Sequence, residues 1–155
     1  GTGKTALAAK LAVESGFPFV RFVSPEHFVG QSDPYKIQAL AKIFDDAHKS
    51  PLSVVVLDNI ERMIDYAAIG PRFTNSLLQT LLILIKQIPP QGRRLLVLAT
   101  TSSLNVMESL DVRSAFNAIL STPILDRGEI GRILDGSTTT TALQVQEGGV
   151  AVMTE

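Results

Sequence analysis

Four aliphatic residues in succession, Val54-Val55-Val56-Leu57, run straight into a carboxylate at Asp58. A strand with one wet face alternates apolar and polar residues, so an unbroken run of this length reads as a strand covered on both faces, as in a parallel sheet flanked by helices. Leu95 to Ala99 repeats the run. Around these segments the apolar residues recur at helical spacing: Leu7, Ala8, Leu11 and Ala12 within Lys4 to Ser15; Ile37, Leu40, Ala41 and Phe44 within Tyr35 to Lys49; Leu77, Leu78, Leu81, Leu82 and Ile85 within Thr74 to Ile88. Gly16 with Pro18, Pro51, and Pro89-Pro90-Gln91-Gly92 supply the stops. Further strands are expected at Phe17 to Val23 and Asn117 to Ser121, with a short helix at Val106 to Leu110. Strands alternating with helices of this length predict an α/β domain whose ligand site lies at the carboxyl ends of its strands, where Asp58 stands.

What the ligand is follows from the first five residues. Gly1-Thr2-Gly3-Lys4-Thr5 is the closing half of the phosphate-binding pattern Gly, four residues, Gly, Lys, then Ser or Thr. Glycines let backbone N–H groups approach phosphate oxygens with no Cβ in the way, and the helix that follows adds the partial positive charge of its amino end. Lys4 is expected to reach the β- and γ-phosphates as a point charge, the Thr5 hydroxyl to be a ligand of Mg²⁺, and Asp58 to hold the same ion. The three-residue match alone also reads as an ordinary helix start with a solvated lysine. Followed by an amphipathic helix and an aliphatic strand ending in Asp, it reads as a P-loop nucleoside triphosphate site.

Bulk properties bound the rest. The chain has 155 residues, 45% of them hydrophobic, enough for one sizeable core. A net charge of −1 gives no general attraction to nucleic acid or anionic membranes, and the Arg93-Arg94 pair reads as a solvated loop before a strand. No cysteine is present, which excludes disulfides and thiolate chemistry, and His27 and His48 lack metal-ligand spacing. Leu81 to Ile85, the longest purely aliphatic run, is too short to span a bilayer. A soluble protein in a reducing compartment is expected. Residues 1–135 are expected to form a partial nucleotide-binding domain; residues 136–155, rich in Thr and Gly and without helical period, are expected to be a divergent, disordered tail, with a weak edge strand near Val145 and Glu147 as the alternative.

The stretch Asp58-Asn59-Ile60-Glu61-Arg62-Met63-Ile64-Asp65-Tyr66, followed by Ile69-Gly70-Pro71-Arg72-Phe73-Thr74-Asn75, closely resembles the second ATPase domain of the N-ethylmaleimide-sensitive, vesicle-fusing ATPase family. Pro89-Pro90-Gln91-Gly92-Arg93 and Thr100-Thr101-Ser102 extend the match, which covers about Gly1 to Pro123. This family belongs to the AAA+ class of P-loop ATPases, ring-forming hexamers that remodel protein complexes with ATP. The resemblance implies an AAA+ parallel sheet lacking its first strand and its C-terminal helical lid. It further implies a homo-hexamer bound to ATP and Mg²⁺, acting on SNARE complexes through adaptor proteins, cytoplasmic and held at vesicle and Golgi membranes only through partners, with no nucleic acid. In that family the second domain binds ATP tightly and holds the ring together, while the first does most of the hydrolysis.

On the same resemblance, Gly1, Thr2, Gly3, Lys4, Thr5, Asp58 and Thr101 are the nucleotide contacts, Thr5 and Asp58 the Mg²⁺ ligands, and His27-Phe28-Val29-Gly30 a loop lining the central pore. Phe28 would grip a translocating chain, with Val29 beside it and Gly30 supplying the bend; its other reading is a ring packed beneath the loop. Active members carry Glu directly after the magnesium-binding Asp, and here that position is Asn59. An amide orients water but cannot take its proton, and a positioned general base contributes about 10²–10⁴-fold, so weak hydrolysis is expected. Glu61, one turn on, is the substitute candidate, or else a solvated residue at a helix start. The usual arginine finger falls on Ala115, with Arg113 near it. Two alternatives remain open: an active AAA+ protein-remodelling ATPase using Glu61, and a small P-loop kinase.

Overall fold

The computed structural model describes residues 2–67, 73–124, 128, 130 and 151–154. Helix α1 (Lys4–Glu14) leads to strand β1 (Phe19–Val23), a 3-10 turn (Pro25–Phe28), α2 (Asp33–Lys49), β2 (Leu52–Leu57) and the short α3 (Ile60–Met63). Then come α4 (Asn75–Lys86), β3 (Arg94–Thr100), α5 (Leu104–Ser109), a second 3-10 turn (Arg113–Ala115), β4 (Ala118–Ser121) and β5 (Ala151–Thr154). All strand pairs are parallel, in the order β1-β2-β3-β5-β4. The expected α/β architecture is therefore present.

The continuous aliphatic runs have the cause expected of them. Along β2, successive side chains point to opposite faces. Val55 and Leu57 join Leu40 and Phe44 of α2, Leu77 and Leu81 of α4, and Val97 and Ala99 of β3 in one core. Val54 and Val56 face the other way, against Ala8 and Ala12 of α1 and Leu98 of β3. The two alanines allow α1 to lie close on the sheet. Ser53 interrupts neither layer, because its buried hydroxyl donates to the Ala47 carbonyl at 2.6 Å and so fastens the start of β2 to the end of α2.

Element ends differ from expectation for local reasons. Helix α2 begins at Asp33, two residues before Tyr35, because Pro34 sits in its first turn, where the missing N–H has no partner to lose. Gly16 takes the left-handed conformation just past α1, at φ 64°, and β1 starts only after Pro18. Helix α4 stops at Lys86 because Gln87 turns extended, which leaves Ile88 87% exposed.

Residues 151–154 lie within the stretch expected to be a divergent tail. They form β5, inserted between β3 and β4 with backbone registers on both sides, so the described residues contribute five strands to the sheet. Ala, Val, Met and Thr carry no charge, and pairing on both edges satisfies a strand's backbone polar groups. The Val145 and Glu147 alternative, like the expected absence of a lid, falls on residues outside those described.

Phe44, fully buried between α2 and the sheet, tests the larger core: Phe44→Ala is expected to lower stability by about 3–5 kcal/mol, read from urea unfolding.

Candidate nucleotide-binding site

The carboxyl ends of β2 and β3 and the start of α1 meet at one side chain. Asp58, first residue past β2 and 4% exposed, is held from both sides of its carboxylate. Its Oδ1 accepts hydrogen bonds from the Thr5 hydroxyl at 2.8 Å and the Thr100 hydroxyl at 2.6 Å, and its Oδ2 accepts from Asn59 Nδ2 at 3.0 Å. The backbone N–H of Asp58 donates to the Val23 carbonyl at 2.8 Å, which ties the end of β1 to the same point. A buried carboxylate needs this many donors, because desolvation is compensated only by hydrogen bonds or charge.

The residues expected to form the phosphate loop stand at the amino end of α1. Gly3, at the amino end of α1, takes φ 81°, a left-handed conformation that side-chain-bearing residues seldom adopt, and no heavy atom lies within 4 Å of where a Cβ would sit. No side chain caps α1 and no acidic residue lies in its first turn, so its amino end suits an anion. Lys4 is largely buried, with Nζ 3.4 Å from the Thr2 hydroxyl. Thr2 is also linked to Thr122, hydroxyl to hydroxyl, at 2.9 Å. Gly1 lies outside the described residues.

Hard oxygen donors converge where a cation would be needed. Thr5 gives its hydroxyl proton to Asp58, which leaves its oxygen lone pairs for a metal, and Asp58 supplies the negative charge. No group of three or more His, Cys, Asp or Glu residues with metal-binding arrangement occurs among the described residues. A site of one hydroxyl and one carboxylate fits Mg²⁺, which keeps several waters and shares phosphate oxygens instead of occupying an all-protein cage.

Asn59 takes φ 50° and ψ 62°, the left-handed region that Asn tolerates better than most residues. Its backbone N–H donates to Thr100 Oγ1 at 2.9 Å. Because a carboxylate only accepts, the amide nitrogen must be the end facing Asp58. The residue standing in the position of the usual base is therefore a donor bound to the carboxylate beside it.

Thr100, not among the expected contacts, is the threonine of this pair that reaches Asp58. The register pairs Leu57 with Ala99, which sets residue 100 level with Asp58; each aliphatic run ends directly before its polar residue, and that carried the signal. Thr101 is fully buried, and its hydroxyl accepts from the Ser103 N–H at 3.0 Å in the turn before α5. Glu61 is likewise engaged: its Oε1 accepts from the Ser102 N–H at 2.9 Å, while its buried Oε2 has no hydrogen-bond partner among the described residues. Glu61 thus straps the turn after β3 to the start of α3.

Of the two readings of Phe28, its burial fits the ring packed beneath the loop. Phe28 is 6% exposed and belongs to the larger core, whereas Val29 is 77% exposed and Gly30 turns the loop at φ 75°. Its burial follows from the 3-10 turn, which Ser24 and His27 cap reciprocally at its amino end. Ala115 packs into the same core, and Arg113 lies on the surface with Nε 3.6 Å from Glu108. A depression of about 710 Å³ lined by Ile88, Arg93, Arg94 and Asn117 lies at the amino ends of β3 and β4, apart from this site.

Comparison with known proteins agrees with this geometry. A family model described as "ATPase family associated with various cellular activities (AAA)" matches residues 1–124. The chain is 44% identical over 135 residues to a vesicle-fusing ATPase of Arabidopsis thaliana, covering 87% of this chain and 18% of that protein. It is 49% identical over 123 residues to a vesicle-fusing ATPase of Dictyostelium discoideum, covering 79% and 17%. With a vesicular-fusion protein of Saccharomyces cerevisiae it shares 46% identity over 123 residues, covering 79% and 16%. The chain thus spans less than a fifth of the length of each of these relatives.

The clasp on Asp58 predicts that Thr100→Val, near-isosteric but without the hydroxyl, removes a donor to the carboxylate and the acceptor of the Asn59 N–H together. A loss of about 1–3 kcal/mol in chemical unfolding is expected, with weakened magnesium-dependent nucleotide binding by calorimetry.

Proposed function

The chain belongs to the AAA family of ATPases, and from that membership we propose that it is the ATP-binding module of a vesicle-fusing ATPase, holding Mg-ATP chiefly to stabilise a homo-hexamer and hydrolysing it slowly. The observation that carries the slow-hydrolysis reading is Asn59, whose side chain and backbone N–H are both engaged in the network around Asp58. The charges that hold nucleotide are present while the proton acceptor is absent from its usual place. Lys4 and the amino end of α1 bind the phosphates; Thr5 and Asp58 hold Mg²⁺, which neutralises charge on the phosphate oxygens when bound. Thr101 contributes by shaping the turn after β3.

A ligand that binds only the assembled ring stabilises it by RT ln(1 + [ATP]/Kd), about 4 kcal/mol at a thousandfold excess over Kd. On this reading ATP is a structural part of the ring. The relatives' names speak of vesicle fusion; the substrates in this reading are those the family resemblance implies, SNARE complexes reached through adaptor proteins, at vesicle and Golgi membranes to which this domain is held by partners. Among the described residues no helix is long and apolar enough to cross a membrane. Val29 and Gly30 remain candidates for the pore side of the ring, with Val29 the projecting side chain.

A second reading is favoured by one observation: the unpartnered Oε2 of Glu61 is a buried acceptor close to the turn after β3. In that reading the domain is an active remodelling motor and Glu61→Gln abolishes its turnover.

Incubated with labelled ATP and Mg²⁺ and then isolated, the protein is expected to retain uncleaved ATP; ADP accumulating with turnover would overturn the structural role. Asn59→Glu is expected to raise hydrolysis by about 10²–10⁴-fold, the contribution of a positioned base. Lys4→Ala is expected to abolish retention and to weaken hexamers in analytical ultracentrifugation, and unchanged hexamers without nucleotide would sink the latch.

A further inference from the structure

Two lysines among the described residues are buried, Lys4 and Lys36, and the nucleotide reading gives a task to the first alone. Lys36 stands at the start of α2, 7% exposed, with its Nζ 2.6 Å from Asp65 Oδ2 and 3.8 Å from Asp33 Oδ1. An amine this far out of water is costly unless it is paired, and Asp65, about half exposed, supplies the pair from another element.

Asp65 joins three elements. Its carboxylate accepts from Lys36 Nζ of α2 and, at 3.4 Å, from the hydroxyl of Thr74 just before α4. Its own N–H donates to the Arg62 carbonyl of α3 at 3.2 Å, and the Thr74 N–H donates to the Ile64 carbonyl at 2.9 Å. Asp65 takes φ 54° as Asn59 takes φ 50°, so α3 is bounded at both ends by side-chain-bearing residues in the left-handed region. Such residues stay there where surrounding bonds hold them, and a helix of one turn does not hold itself. At Asn59 the bonds are to Asp58 and Thr100. At Asp65 they are to Lys36 and Thr74. The Arg62 and Met63 N–H groups both donate to the Asn59 carbonyl, at 2.9 and 3.2 Å, which joins the two ends within that single turn.

We propose that Lys36 is a positioning residue for the magnesium-nucleotide site, acting through Asp65 and α3 on Asn59 and Asp58. The positioning role rests on the Mg-ATP reading; the hold of Lys36 on α3 does not. The core anchors Ile60 and Met63 of α3, and Ile64 after it, by their apolar side chains, and so sets how deep the turn lies. The Lys36–Asp65 pair sets its polar ends, and with them the angle at which Asn59 presents its amide to Asp58 and its N–H to Thr100. Loss of the pair releases Asp65 from the left-handed region, and the change reaches Asn59 through one turn. Its effect falls on Mg²⁺, held in that reading by Thr5 and Asp58, and not on the phosphates, held by Lys4 and the amino end of α1.

The test compares the full chain with Lys36→Met, Asp65→Asn and the double variant. Methionine keeps an unbranched stem in place and leaves no buried charge behind, because Asp65 is half exposed, and asparagine tolerates the left-handed region. By calorimetry, affinity for Mg-ATP is expected to fall about tenfold in each single variant, the low end of what outer-shell partners contribute at a metal site, while affinity for ATP in EDTA stays unchanged. The double variant is expected to lose no more than either single one, as two residues acting as a unit do. Equal losses with and without Mg²⁺, additive losses, or an unchanged Mg-ATP affinity overturn the positioning role. Should Lys36→Met lack the circular dichroism of a folded chain, Asp65→Asn, altered at a half-exposed side chain, carries the same comparison. Without nucleotide, hydrogen exchange at residues 62–66 is expected to speed up roughly tenfold in both single variants while that of α1 stays as it was. Unchanged exchange at residues 62–66 overturns the hold of Lys36 on α3. A full chain that binds no Mg-ATP defeats the function reading, and exchange then decides the hold by itself.

Discussion

One buried carboxylate organises this domain. Asp58 receives hydroxyls from α1 and from the end of β3, and the amide of its own neighbour, while its backbone reaches the end of β1. Each donor comes from a different element, so the relative positions of helix and strands are specified where a triphosphate with its cation would sit. A charge out of water must be surrounded by donors or lose its charge. The folded state therefore cannot form its centre without also bringing the Thr5 hydroxyl and the Asp58 carboxylate together. Stability and ligand readiness share the same atoms, and a change at Thr5 or Thr100 acts on both.

The two-faced sheet makes this arrangement rigid. Valines on alternate faces of β2 pack against α1 on one side and against α2 and α4 on the other, so no face of the strand bearing Asp58 is free to shift. Small residues on α1 keep the helix close, and that closeness brings Thr5 within reach of the carboxylate. Packing and polar geometry are linked through a helix that both covers the sheet and carries Thr5 to the carboxylate.

Much of this was legible in the residues. Unbroken aliphatic runs gave the buried strands, helical spacing gave α1, α2 and α4, and the pairing of Thr5 with Asp58 was expected from their motifs. What escaped was decided by direction and by distance along the chain. Thr100 and Thr101 are alike as letters; strand register alone turns one toward Asp58 and the other toward Ser103. Phe28 carried the signal of an exposed loop, yet a capped 3-10 turn rotates it into the core and leaves Val29 outside. The segment 151–154 has too few residues for any periodic signal, and its structure comes from partners about 30 and 50 residues earlier, which local pattern does not register.

The sheet order also has a consequence for the order of assembly. Strands β1, β2 and β3 pair across about 30 to 40 residues each, with their covering helices in between, whereas among the described residues β4 meets β3 through β5, which lies about 50 residues beyond β3. Closure over the longer separation costs more chain entropy before any contact repays it, so the β3-β5-β4 side closes after the β1-β2-β3 side.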